Sequence, residues 1–373
     1  MLSKSLLLGL VLPLCNGVLL PRPTGEYQVT MSTAELVDES RPDPWELDTI
    51  PNRRVMISRF DPVRENHCYR NEKVSYMSPL VAETEDQILG AYEWPSGYLS
   101  TVDMVFCTLQ ESDTPLPAPV LLFSPGLNTT RFYYSAIAQE VASRGFSVIT
   151  MDHPFETDVV EFPDGTVAYG GHVDVNNTET LEFALDVRAK DTSFVIDTLA
   201  ANSTEEIEVG FFGHSFGGAA SAAAMMDDTR IIGGVNLDGG MWGPVLENGL
   251  NDGQKFLLWG AGRHNTTSAL DYGWGEFWAT IDEQEVWKRE INLVTGAHGS
   301  FWDLGFVTDI LGIRDELSEM ALGLVGPFAG EREMTITSNY MEDYFNFVMK
   351  DGEGELLNGP SPEYPEVEFV HLE

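Results

Sequence analysis

From Pro119 onward, short apolar segments alternate with segments whose apolar residues recur at helical spacing. Apolar segments of this kind are typical of buried strands, and the helical spacing favours amphipathic helices. The predicted strands cover 119–126, 146–154, 209–212, 231–240 and 255–262, and another strand begins the segment 289–305. The predicted helices cover 130–145, 181–200, 218–226, 268–281 and 338–350. This alternation predicts an α/β fold with a mostly parallel central sheet and helices on its faces.

The remaining segments follow other patterns. Residues 27–41 and 53–63 predict two strands that form an antiparallel extension ahead of the parallel core. Residues 64–116 show no clear period, and we expect an irregular cap over one side of the site. The segment 155–178 predicts a long loop that borders the pocket, because it follows the C-terminal end of a core strand. The acidic tail at 351–373 is expected to be loosely ordered.

We predict one domain over residues 18–373, with its catalytic core at 117–350. Residues 1–17 predict a secretory signal peptide, because Lys4 precedes the apolar segment Leu6–Leu14 and small residues follow it. A buried N-terminal strand is the alternative. The segment is too short to span a bilayer. The mature protein is therefore expected to be secreted.

Composition narrows the classes of partner. The chain has 59 acidic and 21 basic residues and a net charge of −38, which argues against nucleic-acid binding and against attraction to anionic lipid. No cofactor, metal or obligate protein partner is expected. Three tryptophans of one segment, Trp274, Trp278 and Trp287, are interpreted as packing residues, with transient contact with a lipid surface as the alternative.

Two cysteines remain after removal of the signal peptide, Cys68 and Cys107. In an oxidising compartment they predict one disulfide, and two buried free thiols are the alternative. Four N-x-[ST] sequons begin at Asn128, Asn176, Asn202 and Asn265. We predict glycans at the last three but not at Asn128, which lies in a loop assigned to the active site.

The strongest chemical signal is the segment Gly213–Gly217, which fits the G-x-S-x-G nucleophile elbow. A short apolar strand precedes it and a helix of small residues follows it, as the motif requires. Such a turn holds Ser215 on a strained backbone with its hydroxyl clear of the sheet. Gly213 and Gly217 are expected where strand and helix approach closely. The alternative is a Gly-Ser turn without chemistry.

A nucleophilic serine needs a base and an acid that orients the base, and in this kind of strand–turn–helix site both follow the serine in the chain. His298, which follows a predicted strand, is the predicted base, and His264 is the alternative. Asp238 ends the strand after the elbow helix and is the predicted acid. Asp303 is the alternative acid. His153, at another strand end, is interpreted as a possible wall of the pocket.

The tetrahedral oxyanion of ester hydrolysis needs two backbone N–H donors. One is expected from Phe216, directly after the nucleophile, and the other from the loop after the strand at 119–126. Pro125 has no N–H group, so Leu127 is the predicted second donor.

Together these motifs resemble the platelet-activating factor acetylhydrolases of the plasma and isoform II type. The resemblance rests on 123–148, 213–219, 236–240 and 298–305. It implies an α/β-hydrolase fold, the acid at Asp238, and oxyanion donors at Leu127 and Phe216. It also implies calcium-independent hydrolysis of the short sn-2 acyl ester of platelet-activating factor and oxidised phospholipids. Gly239 and Gly240 are smaller than their counterparts in the family, which predicts a different acyl pocket.

Three alternatives stay open. The first is a carboxylesterase or cutinase-type polyester hydrolase with the same chemistry and another acyl preference. The second is a non-catalytic binding module of the same fold, which the presence of all three triad residues disfavours. The third, a dienelactone-type hydrolase, is disfavoured because that family has Cys at the position of Ser215.

Overall fold

The structure is a computed structural model that describes residues 17–46, 51–110, 113–201, 203–204 and 206–371. The predicted signal peptide lies outside the described residues except for Gly17. Cys15 and the sequon residue Asn202 also lie outside them. No helix in these ranges combines the length and apolar character that crossing a membrane requires.

The strands of the described residues, in chain order, are β1 (Val18–Leu19), β2 (Gln28–Pro42), β3 (Asn52–Val63), β4 (Arg70–Ser75), β5 (Val102–Thr108), β6 (Val120–Ser124), β7 (Ser147–Asp152), β8 (Val159–Glu161), β9 (Val167–Tyr169), β10 (Val209–His214), β11 (Ile231–Leu237), β12 (Lys255–Ala261), β13 (Trp287–Leu293) and β14 (Val367–His371). Among the described residues, a nine-stranded sheet has the order β14-β13-β12-β11-β10-β6-β7-β3-β2. Its six central strands, β13 to β7, pair in parallel. The antiparallel strands β2 and β3 form one edge, as the sequence predicts, and antiparallel β14 forms the other.

The helices are α1 (Pro79–Gly90), α2 (Ser135–Ala142), α3 (Thr178–Ala200), α4 (Phe216–Asp227), α5 (Val245–Asn248), α6 (Trp274–Asp282), α7 (Leu304–Leu311), α8 (Glu319–Val325) and α9 (Gly330–Met349). They cover both faces of the large sheet, so two apolar cores form. Phe212 packs in the core shared with α2, α7, α8 and α9, whereas its neighbour Phe211 packs in the core shared with α3, α4 and α6. Alternate residues of a strand point to opposite faces, so the apolar strands serve both cores. The predicted α/β fold is confirmed.

Residues 64–116 are more regular than predicted. They contain α1 and the strands β4 and β5, which form a small sheet with β1 in the order β1-β5-β4. The hydrophobic pattern of the sequence does not reveal β4, because most side chains of this strand are exposed. Cys68 and Cys107 form the predicted disulfide, with their Cα atoms 5.4 Å apart. The bridge ties the start of β4 to β5.

The prediction of a loosely ordered tail is wrong. Strand β14 pairs antiparallel with β13, and the amide of Val294 also donates to the carbonyl of Glu366 at 2.8 Å. This short edge strand carries one acidic residue, Glu368, and of its five residues only Val367 is buried. Backbone hydrogen bonds at a sheet edge are compatible with such a composition, which is why charge alone misleads here.

Several predicted boundaries change. The long segment 155–178 contains the hairpin of β8 and β9. The last helix begins at Gly330 rather than at residue 338, and α6 begins at Trp274 rather than at residue 268. The predicted helix 130–145 consists of a 3-10 turn and α2, with Thr130 capping the turn through its hydroxyl. Gly145 ends the segment at φ 90°, a conformation that favours glycine.

Candidate active site

Ser215 lies in the sharp turn between β10 and α4. Its backbone has φ 55° and ψ −126°, which is a strained conformation for a residue with a side chain. The amide of Ser215 donates to the carbonyl of Leu237 at 2.8 Å, so the turn is fixed against the neighbouring strand β11. The serine is partly buried and is the residue that precedes the first turn of α4.

The two motif glycines lie where backbone segments touch. A β-carbon at Gly213 would lie 2.2 Å from the carbonyl oxygen of Gly217. A β-carbon at Gly217 would lie 1.9 Å from the carbonyl oxygen of Ser124. Real β-carbons do not approach backbone so closely, so this turn can form only with glycine at both positions. The contact also brings the end of β6 against the start of α4.

Asp238 lies directly after β11 and is 7% exposed. Its backbone has φ 56°, and the following Gly239 packs so tightly that a β-carbon there would lie 1.8 Å from the carbonyl oxygen of Ser215. The turn therefore places the aspartate beside the elbow. One carboxylate oxygen, Oδ2, accepts a hydrogen bond of 2.6 Å from Nδ1 of His298.

The other carboxylate oxygen of Asp238 has two donors. The amide of Ala261 donates to Oδ1 at 2.8 Å, and Nδ1 of His264 lies 3.0 Å from the same atom. Burial acts to raise the pKa of Asp238, but the hydrogen bonds from His264 and His298 outweigh it and lower the pKa to about 2. The carboxylate is thus ionised at neutral pH and faces two imidazoles.

His264 is therefore part of this cluster, although the sequence favours it only as an alternative base. It is 8% exposed, and its ring packs 4.2 Å from that of Trp274 between centroids. Its second ring nitrogen, Nε2, has no hydrogen-bond partner among the described residues. His264 follows β12 at the edge of the sheet where Asp238 and His298 lie, and this position is the sequence signal that points to it. The sequence does not reveal that His264 shares Asp238 with His298.

His298 is the more exposed of the two histidines, with 55% of its side chain accessible. It begins a 3-10 turn, His298–Phe301, that follows β13. A β-carbon at Gly299 would lie 1.7 Å from the carbonyl oxygen of Leu324, so α8 packs directly beneath this turn. The ring of His298 lies 4.5 Å from that of His214, which precedes Ser215.

His214 and Tyr134 connect this histidine with the loop after β6. Nε2 of His214 donates to the carbonyl of His298 at 2.9 Å, and its Nδ1 accepts from the hydroxyl of Tyr134 at 2.8 Å. The same hydroxyl accepts from the amide of Gly126 at 3.3 Å. Burial and the neighbouring His298 together lower the pKa of His214 to about 3, so this imidazole is neutral.

The two amides predicted to bind the oxyanion lie on either side of the turn. A β-carbon at Gly126 would lie 3.4 Å from the β-carbon of Ser215, so the loop that carries Leu127 passes beside the serine. Phe216 is the first residue of α4. Neither the Leu127 nor the Phe216 amide donates a hydrogen bond within the described ranges. Both donors are thus available to a ligand.

Comparison with known proteins identifies the family. The sequence profile of platelet-activating factor acetylhydrolase, isoform II, matches residues 107–161 and 176–312, together more than half of the chain. An Arthroderma benhamiae protein named "Probable 1-alkyl-2-acetylglycerophosphocholine esterase" is 38% identical over 371 residues, covering 95% of this chain and 94% of that protein. The chain belongs to the platelet-activating factor acetylhydrolase family, isoform II type.

Further relatives support a carboxylic ester hydrolase. The platelet-activating factor acetylhydrolase of Cavia porcellus is 31% identical over 161 residues, which cover 35% of this chain and 36% of that protein. A solved ferulic acid esterase from Streptomyces cinnamoneus superposes with a TM-score of 0.79 at 27% identity and covers 95% of this chain and all of its own. The chain is therefore an esterase of the α/β-hydrolase fold within this family.

Two other sequence expectations are wrong for this family member. Asp303 does not contact His298: its carboxylate accepts hydrogen bonds from the amides of Ala136 and Ile137 and from the hydroxyl of Tyr76. It thus caps the N-terminus of α2 rather than orienting a base. His153 is no pocket wall, because it is fully buried.

A cluster of aromatic rings lies beside the Asp238 turn of this acetylhydrolase-family chain. The rings of Phe216 and Trp242 lie 5.8 Å apart, and those of His264 and Tyr272 lie 5.2 Å apart. A β-carbon at Gly240 would lie 2.6 Å from the indole of Trp242 and 3.2 Å from Cβ of Tyr272. The glycine therefore lets these two side chains close over the turn.

The three tryptophans named in the sequence analysis and the described sequons lie as follows. Trp274 is fully buried, and its indole N–H donates to the carbonyl of Gly239, so it supports the Asp238 turn. Trp278 stacks on His371 of β14, and Trp287 packs on Phe347 of α9. All three pack within the protein. Asn128 and Asn176 are exposed, and Asn265 is partly buried.

Proposed function

We propose that this chain hydrolyses the short sn-2 acyl ester of platelet-activating factor-like and oxidised phospholipids through a Ser-His-Asp triad. The hydrogen bond of 2.6 Å between His298 and Asp238, next to the strained turn at Ser215, carries the proposal. The Arthroderma benhamiae relative and the family profile support the substrate class.

In the first half of the reaction, Oγ of Ser215 attacks the acyl carbon while Nε2 of His298 accepts the hydroxyl proton. Asp238 remains ionised, keeps the proton of His298 on Nδ1 and stabilises the imidazolium that forms. The oxyanion accepts hydrogen bonds from the amides of Leu127 and Phe216. When the tetrahedral intermediate collapses, the alcohol leaves with the proton from His298, and the acyl group stays on Ser215.

In the second half, water attacks the acyl-enzyme and passes a proton to His298. Collapse of this second intermediate returns that proton to Ser215 and releases the carboxylic acid. The imidazole of His298 takes part in every proton transfer. Asp238 stays ionised throughout and accepts the hydrogen bond from that imidazole. The low pKa of Asp238, about 2, supports this assignment.

A second candidate activity is the hydrolysis of esters with an aromatic acyl group. The half-buried Trp242 and the exposed Tyr272 beside the Asp238 turn favour it, since planar aromatic groups pack well on such side chains. The similarity to the Streptomyces cinnamoneus ferulic acid esterase supports it as well. The same triad would perform this reaction.

The decisive experiment compares esters of different acyl groups with the purified protein. The substrates are p-nitrophenyl esters from acetyl to palmitoyl, a 1-alkyl-2-acetyl phosphocholine lipid, and methyl ferulate. Ser215→Ala should lose roughly 10⁶-fold in kcat. Ser221→Ala, a buried serine of α4 whose hydroxyl bonds the carbonyl of Gly218, is the matched control and should keep its activity.

The outcomes separate mechanism from substrate. Preference for acetyl esters together with cleavage of the phospholipid supports the proposal. Preference for ferulate or for palmitoyl esters is compatible with the proposed triad but contradicts the proposed substrate class. Undiminished activity of Ser215→Ala contradicts the mechanism.

We also infer that the mature protein is secreted and carries glycans at Asn176, Asn202 and Asn265. The disulfide of Cys68 and Cys107 supports an oxidising compartment. N-terminal sequencing of the protein from the culture medium should begin near Val18. Enzymatic removal of N-glycans should lower its mass. Recovery of the full chain from the cytosol alone would contradict secretion.

A further inference from the structure

Arg188 of α3 has no exposed surface, yet three of its hydrogen bonds go to the last residue of β6 and to the loop that follows it. Its Nη1 atom donates to the carbonyl of Pro125 at 2.6 Å and to the hydroxyl of Ser124 at 3.1 Å. Its Nη2 atom donates to the carbonyl of Gly126 at 3.4 Å. One rigid guanidinium thus binds three consecutive residues, from the end of β6 into this loop.

The same guanidinium also contacts the other side of the elbow. Its central carbon lies 4.8 Å from the centre of the Phe216 ring, and its Nε atom donates to Glu156 at 2.8 Å. The ion pair with Glu156 compensates the buried charge of Arg188. Arg188 therefore lies against both residues whose amides are proposed to bind the oxyanion: it binds the peptide unit that carries the Leu127 amide and packs on the Phe216 ring.

The hydrogen bond to Gly126 has a geometric consequence for Leu127. The carbonyl of Gly126 and the amide of Leu127 belong to one peptide unit, and in a trans peptide these two groups point in opposite directions. Since the structure has no cis peptide bond in its described part, the carbonyl that faces Arg188 turns the Leu127 N–H away from it. The loop also passes beside Ser215, because a β-carbon at Gly126 would lie 3.4 Å from the β-carbon of the serine.

The neighbouring amides of the loop are already engaged. The amide of Gly126 donates to Tyr134, and the amide of Asn128 donates to the carbonyl of Glu156 at 2.9 Å. Glu156 thus holds the loop through its backbone and Arg188 through its side chain. The Leu127 amide, between these two, is the one left without an acceptor among the described residues.

We propose that Arg188 is a positioning residue that orients the Leu127 amide for oxyanion binding and so sets the rate of ester hydrolysis. The inference rests on the proposed function, since it needs Leu127 as an oxyanion donor and Ser215 as the nucleophile. Arg188 itself touches no reacting atom. It acts through the peptide unit of Gly126 and Leu127.

The competing explanation is that Arg188 serves only stability, and Arg53 provides the comparison. Arg53 is also fully buried and interacts electrostatically with Glu156. It donates hydrogen bonds to Asp191, to Asp43 and to the carbonyl of Pro154. Its hydrogen bonds go to no residue of the loop 124–127. Arg53→Lys therefore imposes a similar loss of buried hydrogen bonds without touching the oxyanion loop.

The experiment measures kcat and KM for p-nitrophenyl acetate in wild type, Arg188→Lys, Arg53→Lys and Ser215→Ala. Each protein is also tested with the thiono analogue, in which sulfur replaces the carbonyl oxygen and accepts hydrogen bonds poorly. Loss of one oxyanion donor typically costs about 10²–10³ in kcat. A displaced donor in Arg188→Lys should therefore lower kcat roughly 10- to 100-fold with KM nearly unchanged.

The preference for the oxygen ester over the thiono ester should fall by a similar factor in Arg188→Lys and stay unchanged in Arg53→Lys. A merely structural role would lower kcat for both substrates by the same factor and leave this ratio unchanged. Should Arg188→Lys fail to fold, Arg188→Met combined with Glu156→Gln removes the buried pair together and takes its place. That variant keeps the backbone carbonyl of residue 156.

Two results would overturn the inference, in distinguishable ways. If Ser215→Ala is inactive and the arginine variants keep the wild-type ratio of oxygen to thiono ester, the positioning role fails and the proposed function stands. If Ser215→Ala retains activity, the proposed function fails and the inference fails with it.

Discussion

His264 and Asp238 are joined by a hydrogen bond of 3.0 Å from Nδ1 of the histidine to Oδ1 of the carboxylate. Since His298 occupies Oδ2 of the same carboxylate, Asp238 holds two imidazoles at once. His264 is buried and donates to one carboxylate oxygen, whereas the more exposed His298 is the proposed base. This division of roles leads to the first prediction.

Replacing His264 with Leu should lower kcat on p-nitrophenyl acetate about tenfold or more, because Asp238 loses a donor and a hydrogen bond to a charged group contributes about 1.5–3 kcal/mol. His264→Asn should retain most of the activity, since its side-chain amide can donate from nearly the position of Nδ1. Steady-state kinetics of the two variants tests this. Equal activities would contradict a role for the donated hydrogen bond.

Replacing Tyr134 with Phe should lower activity and cost about 1–3 kcal/mol of unfolding free energy, because the amide of Gly126 and Nδ1 of His214 both lose their partner. The matched control is Tyr340→Phe. Tyr340 is equally buried, but its hydroxyl has no hydrogen-bond partner within the described ranges, so its removal should be neutral or stabilising. Urea unfolding and ester kinetics measure both effects. A fully active and stable Tyr134→Phe would show that this connection is dispensable.

The stability of the protein should fall in acid partly through Asp238. Folding lowers the pKa of this carboxyl from 3.8 to about 2, so the ionised form stabilises the fold above pH 4 by about 2 kcal/mol. This contribution is lost as the pH falls through 3.8 towards 2, with roughly half of it gone by pH 3. Between pH 6 and pH 3, the unfolding free energy of wild type should therefore fall by about 1 kcal/mol more than that of Asp238→Asn. A difference that does not change with pH would refute the shifted pKa.

Removing the disulfide should destabilise the protein without changing its chemistry. Cys68 and Cys107 are 39 residues apart, and the loop-entropy relation gives about 4 kcal/mol for a bridge of that span. The variant with Ser at both positions should melt at a lower temperature, and its kcat at 25 °C should match that of wild type. Calorimetry together with ester kinetics provides the test. An unchanged melting temperature would mean that the pairing of β4 with β5 already constrains this segment.

Much of the architecture follows from local patterns. The apolar segments and helical periods place the core strands near their observed bounds, and the small residues around Ser215 identify the elbow. These features are readable because buried strands, amphipathic helices and tight turns each restrict side chains within a few neighbouring positions. The pattern does not reveal strands β4 and β14, because few of their side chains are buried and backbone pairing defines them.

What the sequence by itself determined is the order of strands and helices, the strained turn at Ser215, and the choice of Asp238 and His298 as its candidate partners. Only the tertiary structure decided that His264 shares Asp238, that Asp303 caps a helix, and that Arg188 binds the loop carrying Leu127. The physical reason is that a buried polar side chain must find a partner, but the chain offers many partners at long sequence separation. Packing of the strands and helices selects among them.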